Sequence, residues 1–309
     1  MKPKSILLAT GASVLALSFA TVSPVQADLK EAARKLHDES NAALVGIKGL
    51  LKIDVTRNGQ PAGNQESPIW GNGLVIGDGM VVTAYRSIMP DVAAQAQGGA
   101  MPPGVEIKTK LAEIKFVNGS GEEYDAKLIL HDEDLDLAFL AIDPKAENSA
   151  AWEVKPIGIT ADPEVQLLDD VISLSRQSAT LRFAPAIGTG YVTSVVKRPR
   201  LLYAVKGMSH GAPAFAEDGA FIGLVTMRKS ASNKQPPVAV ILPAKYLRKL
   251  VPQAIEKQEE LKNAKDTDAE VEEEKAEPAE DEKADPVKDQ KVEEETEKPV
   301  KSAEEPAGE

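Results

Sequence analysis

The chain has 309 residues, enough for one large domain or two small ones, and 42% of them are hydrophobic, so a sizeable core can form. Aromatic residues make up only 4%, so Val, Ile, Leu and Ala must fill that core. The formal charge of −12 is uneven: residues 256–309 hold 22 acids and 9 lysines, a net of −13, and the remainder is close to neutral. Neither part carries the clustered basic residues that nucleic-acid binding requires.

Lys2 and Lys4 open the sequence, residues 6–22 are apolar, and Val25-Gln26-Ala27 closes the run with small residues. This pattern predicts a secretory signal peptide cleaved after Ala27, and hence an exported protein, periplasmic or secreted. A membrane anchor is the competing reading, but the run is short and its end reads as cleavable; no other stretch is long enough to span a bilayer. With no Cys in the sequence, there is neither a disulfide nor a lipid-modified cysteine, and the exported domain must hold by packing alone.

After Asp28, Leu29, Ala32, Ala33 and Leu36 recur at helical spacing and predict a short amphipathic helix. Ala43 to Val55 reads as a strand, and Asn58 to Ser67, with Gly59, Pro61 and Gly63, as a polar loop. Gly73 to Ile76 and Met80 to Thr83 flank Gly77-Asp78-Gly79 and predict a hairpin. Pro90 to Gly104 reads as a mobile surface insertion. Ile114 to Val117 and Tyr124 to Leu130 form a second hairpin around Asn118-Gly119. Strands are expected at Leu137 to Ile142, Val171 to Leu174, Ala186 to Val196, Leu201 to Val205, Phe221 to Met227 and Val238 to Ile241. Many short strands at regular spacing predict an all-β fold, a barrel or sandwich pair.

Pro243 to Ile255 closes the series as a helix, with Leu247, Leu250, Val251 and Ile255 on one face. Residues 256–309 then lack the apolar surface needed to offset chain entropy, so a disordered acidic tail is expected, its first part extending the helix transiently. The organisation read from sequence is therefore a signal peptide (1–27), a β domain (28–255) and a tail (256–309).

Three segments together resemble the trypsin-like serine proteases of the bacterial HtrA/Deg type, over about Ser67 to Val251. The first is Gly71-Asn72-Gly73-Leu74-Val75-Ile76 followed by Gly79 to Ile88; the second is Asp136-Leu137-Ala138-Phe139-Leu140-Ala141-Ile142. The third is the elbow Met208-Ser209-His210-Gly211-Ala212-Pro213-Ala214 followed by Asp218-Gly219 and the strand from Phe221. The resemblance implies two packed antiparallel β-barrels of the chymotrypsin type, with short helices at both ends. It admits a trimer, a common state of active relatives.

Carried over position by position, the general-base histidine of the family falls on Arg86, the orienting aspartate on Asp136 and the nucleophilic serine on His210. Arginine stays protonated and cannot act as the base, and a histidine at the elbow cannot form the ordinary acyl ester. Met208 replaces the glycine that helps shape the oxyanion hole, so Met208, Ser209 and His210 are expected to have lost that function. Ser209 is the candidate nucleophile of a rewired site, next to His210. Arg86 and Asp136 are expected to form a charge-assisted, partly buried ion pair. His37 and His131 read as solvated surface residues, and His131-Asp132-Glu133-Asp134 as a solvated loop rather than a metal site. No cofactor is expected.

Three functions compete. The first is an inactive protease-like domain that binds a protein or peptide in its cleft; no second peptide-binding (PDZ) domain is evident after it. The second is a serine endopeptidase rewired around Ser209 and His210. The third is an adaptor whose acidic tail engages basic partners.

Overall fold

Strands buried on both faces lose polar alternation, and here one face of each central strand fills a barrel while the other meets a second sheet. The computed structural model describes residues 24–92, 102–228 and 237–274. The chain divides into two units, residues 1–267 and 268–309; in the second, the described part is the end of a helix.

The first unit opens with helix α1 (Pro24–Ser40). Strands β1 (Leu44–Arg57), β2 (Gln60–Gly77), β3 (Met80–Thr83), β4 (Val105–Val117), β5 (Glu123–Asp132) and β6 (Leu137–Ile142) close an antiparallel barrel in the order β1-β2-β3-β6-β5-β4. The one-turn helix α2 (Tyr85–Ile88) follows β3. Val45, Ile47, Val75, Val81, Phe116 and Leu140 fill the barrel interior.

The second sheet comprises β7 (Asp170–Arg176), β8 (Pro185–Tyr191), β9 (Ser194–Val196), β10 (Leu202–Ala204), β11 (Pro213–Ala216), β12 (Phe221–Arg228) and β13 (Val238–Pro243). Its order is β8-β7-β11-β12-β13-β10-β9, open between β8 and β9. Those two edge strands are separated in sequence only by Val192 and Thr193, so the sheet must curl into a half-barrel to bring them together. Thr193 N–H donates to Ala204 O at 2.8 Å on the β10 side and Val192 N–H to Asp169 O at 3.0 Å on the β7 side, so the link continues both ladders. Val171, Ala214, Val225 and Ile241 line its concave side. The alternate residues Ile172, Leu174, Phe215, Leu224 and Leu242 join Leu44, Leu74, Val82 and Phe139 of the first barrel in one cluster. That shared layer is what the near-continuous apolar strands encode.

Helix α3 (Ala244–Glu274) packs Leu247 and Ala254 into the shared layer. Helix α1 adds Ala33 and Leu36 to it.

Several sequence expectations change. Asn58 to Ser67 is not a loop: after a tight turn at Asn58 and Gly59, with φ of 51° and 79°, it is the outgoing arm of β2, paired with β1 as far as Arg57↔Gln60. β4 pairs along the other side of β1, from Gly46↔Val117 to Arg57↔Val105, so this polar arm is held in a three-stranded ribbon. The pattern hid it because few side chains there face a core. The second of the two expected barrels is a half-barrel, a curled sheet, and Ala186 to Val196 is two strands broken at Val192 and Thr193. The closing helix does not end at Ile255 but runs to Glu274, and Gln258, 8% exposed, donates its Nε2–H to Asp78 O at 2.7 Å. The first turns after residue 256 are therefore docked helix, because one polar anchor satisfies a turn carbonyl. Residues 1–23 of the expected signal peptide, residues 93–101 of the expected insertion and residues 275–309 of the expected tail lie outside the described residues.

Candidate functional site

The elbow between β10 and β11 is fixed by backbone bonds before any side chain acts. Gly211 N–H donates to Val225 O at 2.8 Å, and Ala212 N–H to Ser209 O at 3.2 Å. Gly211 is left-handed, at φ 77°, and a Cβ there would lie 3.1 Å from both Asn72 O and Thr83 Oγ1. Only glycine combines that conformation with so close an approach. The elbow is thus pressed against β2 and β3 of the other barrel. Asn72 completes the join: its Oδ1 accepts from Arg176 N–H at 2.6 Å and its Nδ2 donates to His210 O at 3.4 Å.

Asp136 ends the turn that leads into β6, in the left-handed conformation at φ 57°, which a short polar residue tolerates better than most. Its side chain is fully buried. Arg86 N–H donates to Oδ1 at 2.8 Å, and the Arg86 guanidinium stands 3.6 Å from the same oxygen. Met227 N–H donates to Oδ2 at 3.0 Å, and His210 Nε2 lies 3.0 Å from it. A carboxylate only accepts, so His210 Nε2–H is the donor of this contact. The carboxylate thereby orients the imidazole.

The structure brings Arg86, Asp136 and His210 together, and the expected Arg86–Asp136 ion pair is present. It is not the tightest contact of the carboxylate, since two backbone N–H groups and the imidazole lie closer. Ser209 is exposed, and among the described residues no hydroxyl is hydrogen-bonded to His210. Ser87 Oγ donates to Ala84 O at 2.6 Å, and Thr83 Oγ1 to Asn72 O at 2.6 Å, so both hydroxyls serve the backbone of the barrel. Met208 packs its side chain against the second core, and the left-handed residue is Gly207, at φ 75°, one position earlier. His131 is not simply solvated: its ring stacks on Tyr85 with centroids 4.6 Å apart, and Tyr85 N–H donates to Asp136 O at 3.2 Å. His37 is half-buried, with Nδ1 3.2 Å from Asp38 Oδ1. Among the described residues, no group of His, Asp and Glu is arranged to hold a metal ion.

Sequence reasoning missed four groups. Met227 acts through its backbone, so its side chain carried no signal. Asn72 was visible between two glycines of a quoted motif. Arg200 and Arg228, from the segment before β10 and the end of β12, both donate to Asp134 O, Arg200 at 3.3 Å. Arg86 donates to the neighbouring Glu133 O at 3.1 Å. Three guanidinium groups from three elements thus converge on one turn, which no local pattern could announce.

A closed barrel and a curled sheet, with a buried Asp and a glycine-braced elbow meeting between them, define a trypsin-like protease fold. Residues 71–224 match the trypsin-like peptidase domain, so the chain carries that domain across Arg86, Asp136 and His210. No curated protein matches the sequence. No helix among the described residues is long and apolar enough to cross a membrane.

Proposed function

We propose that this trypsin-like domain is of the HtrA/Deg type, has lost its catalytic serine and histidine, and binds an extended peptide or protein segment outside the cytoplasm without cleaving it. The observation that carries the reading is the direct bond between His210 Nε2 and Asp136 Oδ2 at 3.0 Å. In a hydrolytic triad the imidazole stands between carboxylate and hydroxyl, taking the hydroxyl proton on its far nitrogen. Here the imidazole comes from the elbow itself, and the carboxylate's other side-chain neighbour is Arg86, a permanent cation that accepts no proton. Strand addition to a sheet edge is the binding mode this reading assigns to the domain.

The test is hydrolysis of unfolded casein by residues 28–309, with fluorophosphonate labelling of any activated serine. The reading expects neither. A second reading has one observation in its favour: His210 is oriented by a buried carboxylate, as a general base would be, with Ser209 adjacent. Turnover that vanishes in both Ser209→Ala and His210→Ala would establish that rewired endopeptidase instead. The adaptor role of the tail rests mainly on residues 275–309, beyond those described.

A further inference from the structure

The first barrel has an open seam. Strands β4 and β5 pair over three rungs only, from Lys115↔Asp125 to Val117↔Glu123. Before Lys115 and beyond Asp125, among the described residues, each strand pairs only along its far edge, β4 with β1 and β5 with β6. Both strands carry a bulge just past the last shared rung. The register skips Ala112 between Glu113↔Leu50 and Leu111↔Leu51, and Ile129 between Leu128↔Leu140 and Leu130↔Phe139. A bulge bends its strand and ends regular pairing, so the two strands splay.

Between them lies a cavity of about 400 Å³, walled by Leu111 to Ile114 on one side and Asp125 to Leu128 on the other. It is open to solvent, since Ala112, Glu113 and Lys127 are exposed. Its floor is apolar: Leu111, Ile114, Ala126 and Leu128 all belong to the barrel core. Leu111 and Ile114 share that face although three residues apart, because the bulge at Ala112 adds one residue between them. The charges of the rim are largely spent on each other, with Lys127 Nζ 3.1 Å from Asp143 Oδ2 and Lys115 Nζ 3.1 Å from Asp125 Oδ1. Unpaired strand edges are templates for another strand unless guarded, commonly by Pro or Lys; Leu111 to Ile114 contains neither.

We infer that this seam receives an extended peptide segment, which adds as a strand along the free edge of β4 and sets an apolar side chain between Leu111 and Leu128. This rests on the peptide-binding reading above and names the edge that it uses. Four residues of wall at about 3.4 Å each accommodate a strand of about four residues. Main-chain bonds supply affinity, and the floor selects an apolar residue at every second position. A second copy of the domain would have to offer a strand already flanked by its neighbours, which the wall of β5 obstructs; an unattached segment meets no such obstacle.

The experiment uses residues 28–309 and a fluorescein-labelled hexapeptide that alternates Thr and Val. Fluorescence anisotropy should show binding with a Kd below about 1 mM. Side chains on one face of a strand belong to residues whose N–H groups point to one edge. At least one of two N-methylated versions, methylated on Val or on Thr, should therefore bind about 10-fold more weakly. Hydrogen exchange with bound peptide should slow in residues 105–114. Ala112→Trp, at an exposed position that lines the cavity, should weaken binding at least about 10-fold, while Ala112→Ser changes it by less than about two-fold. Undiminished binding of both N-methylated peptides overturns strand addition. Protection confined to other segments, or binding indifferent to Ala112→Trp, overturns the seam and leaves the peptide-binding reading standing. Binding of no peptide overturns both. A dimer in sedimentation velocity that Ala112→Trp converts to monomer makes the seam a contact between copies and overturns the assignment to a peptide.

Discussion

Asp136 is where the two sheets, the elbow and the arginine cluster meet, and its removal is the sharpest test of the geometry. Asp136→Ala removes the acceptor of two backbone N–H groups, those of Arg86 and Met227, and the partner of His210 Nε2. It also leaves the Arg86 guanidinium without its carboxylate. Breaking a buried pair by deleting one member costs about 3–5 kcal/mol, a range that already includes most of the orphaned donors. Alanine at φ 57° adds about 1 kcal/mol of backbone strain. The expected loss is about 5 kcal/mol, and at roughly 3 °C per kcal/mol for a domain of this size the Tm should fall by about 15 °C. Asp136→Asn tolerates the same backbone and keeps one acceptor oxygen, so it should lose less, about 2 kcal/mol. Thermal unfolding followed by circular dichroism, with urea titration as a second probe, measures both. An Asp136→Ala midpoint within about 2 °C of the parent would refute the buried network.

Arg176, 7% exposed, donates from Nε and Nη2 to Leu44 O and from Nη2 to Asn41 O, tying β7 to the start of β1. Arg176→Ala should cost about 3 kcal/mol by stranding those carbonyls, read as a lower urea midpoint at unchanged m-value. Gly211→Ala must place a Cβ in a left-handed conformation against Asn72 O and Thr83 Oγ1. It should lose about 2 kcal/mol or more, and proteolytic nicking near the elbow would report the opening. Gln258→Ala removes the anchor of α3 on Asp78 O and should cost about 1 kcal/mol, with faster hydrogen exchange in the helix after residue 255. Tyr203 is raised above the ordinary tyrosine range, chiefly by burial, so the folded state favours its neutral form. The stability that this supplies is complete below about pH 10 and is lost as pH rises through the folded pKa; Tyr203→Phe should flatten the alkaline fall in urea midpoint.

The local pattern determined most strands, the two turn-tipped hairpins and the identity of the elbow. These depend on neighbours in sequence: apolar residues set against turn formers at Asp78-Gly79, Asn118-Gly119 and Asp218-Gly219. The three residues Arg86, Asp136 and His210 could also be named from sequence, because each sits in a quoted motif. What sequence could not supply was which atoms would touch. Whether His210 would turn outward or reach Asp136 depended on the depth at which Gly211 lets the elbow sit against Asn72 and Thr83. The ribbon arm at Gln60 to Ser67 was illegible because its pairing with β1 uses backbone groups and buries little. The gathering of Arg86, Arg200 and Arg228 on one turn belongs to tertiary structure alone, since residues so far apart in sequence acquire a common charge environment only when two sheets close on each other.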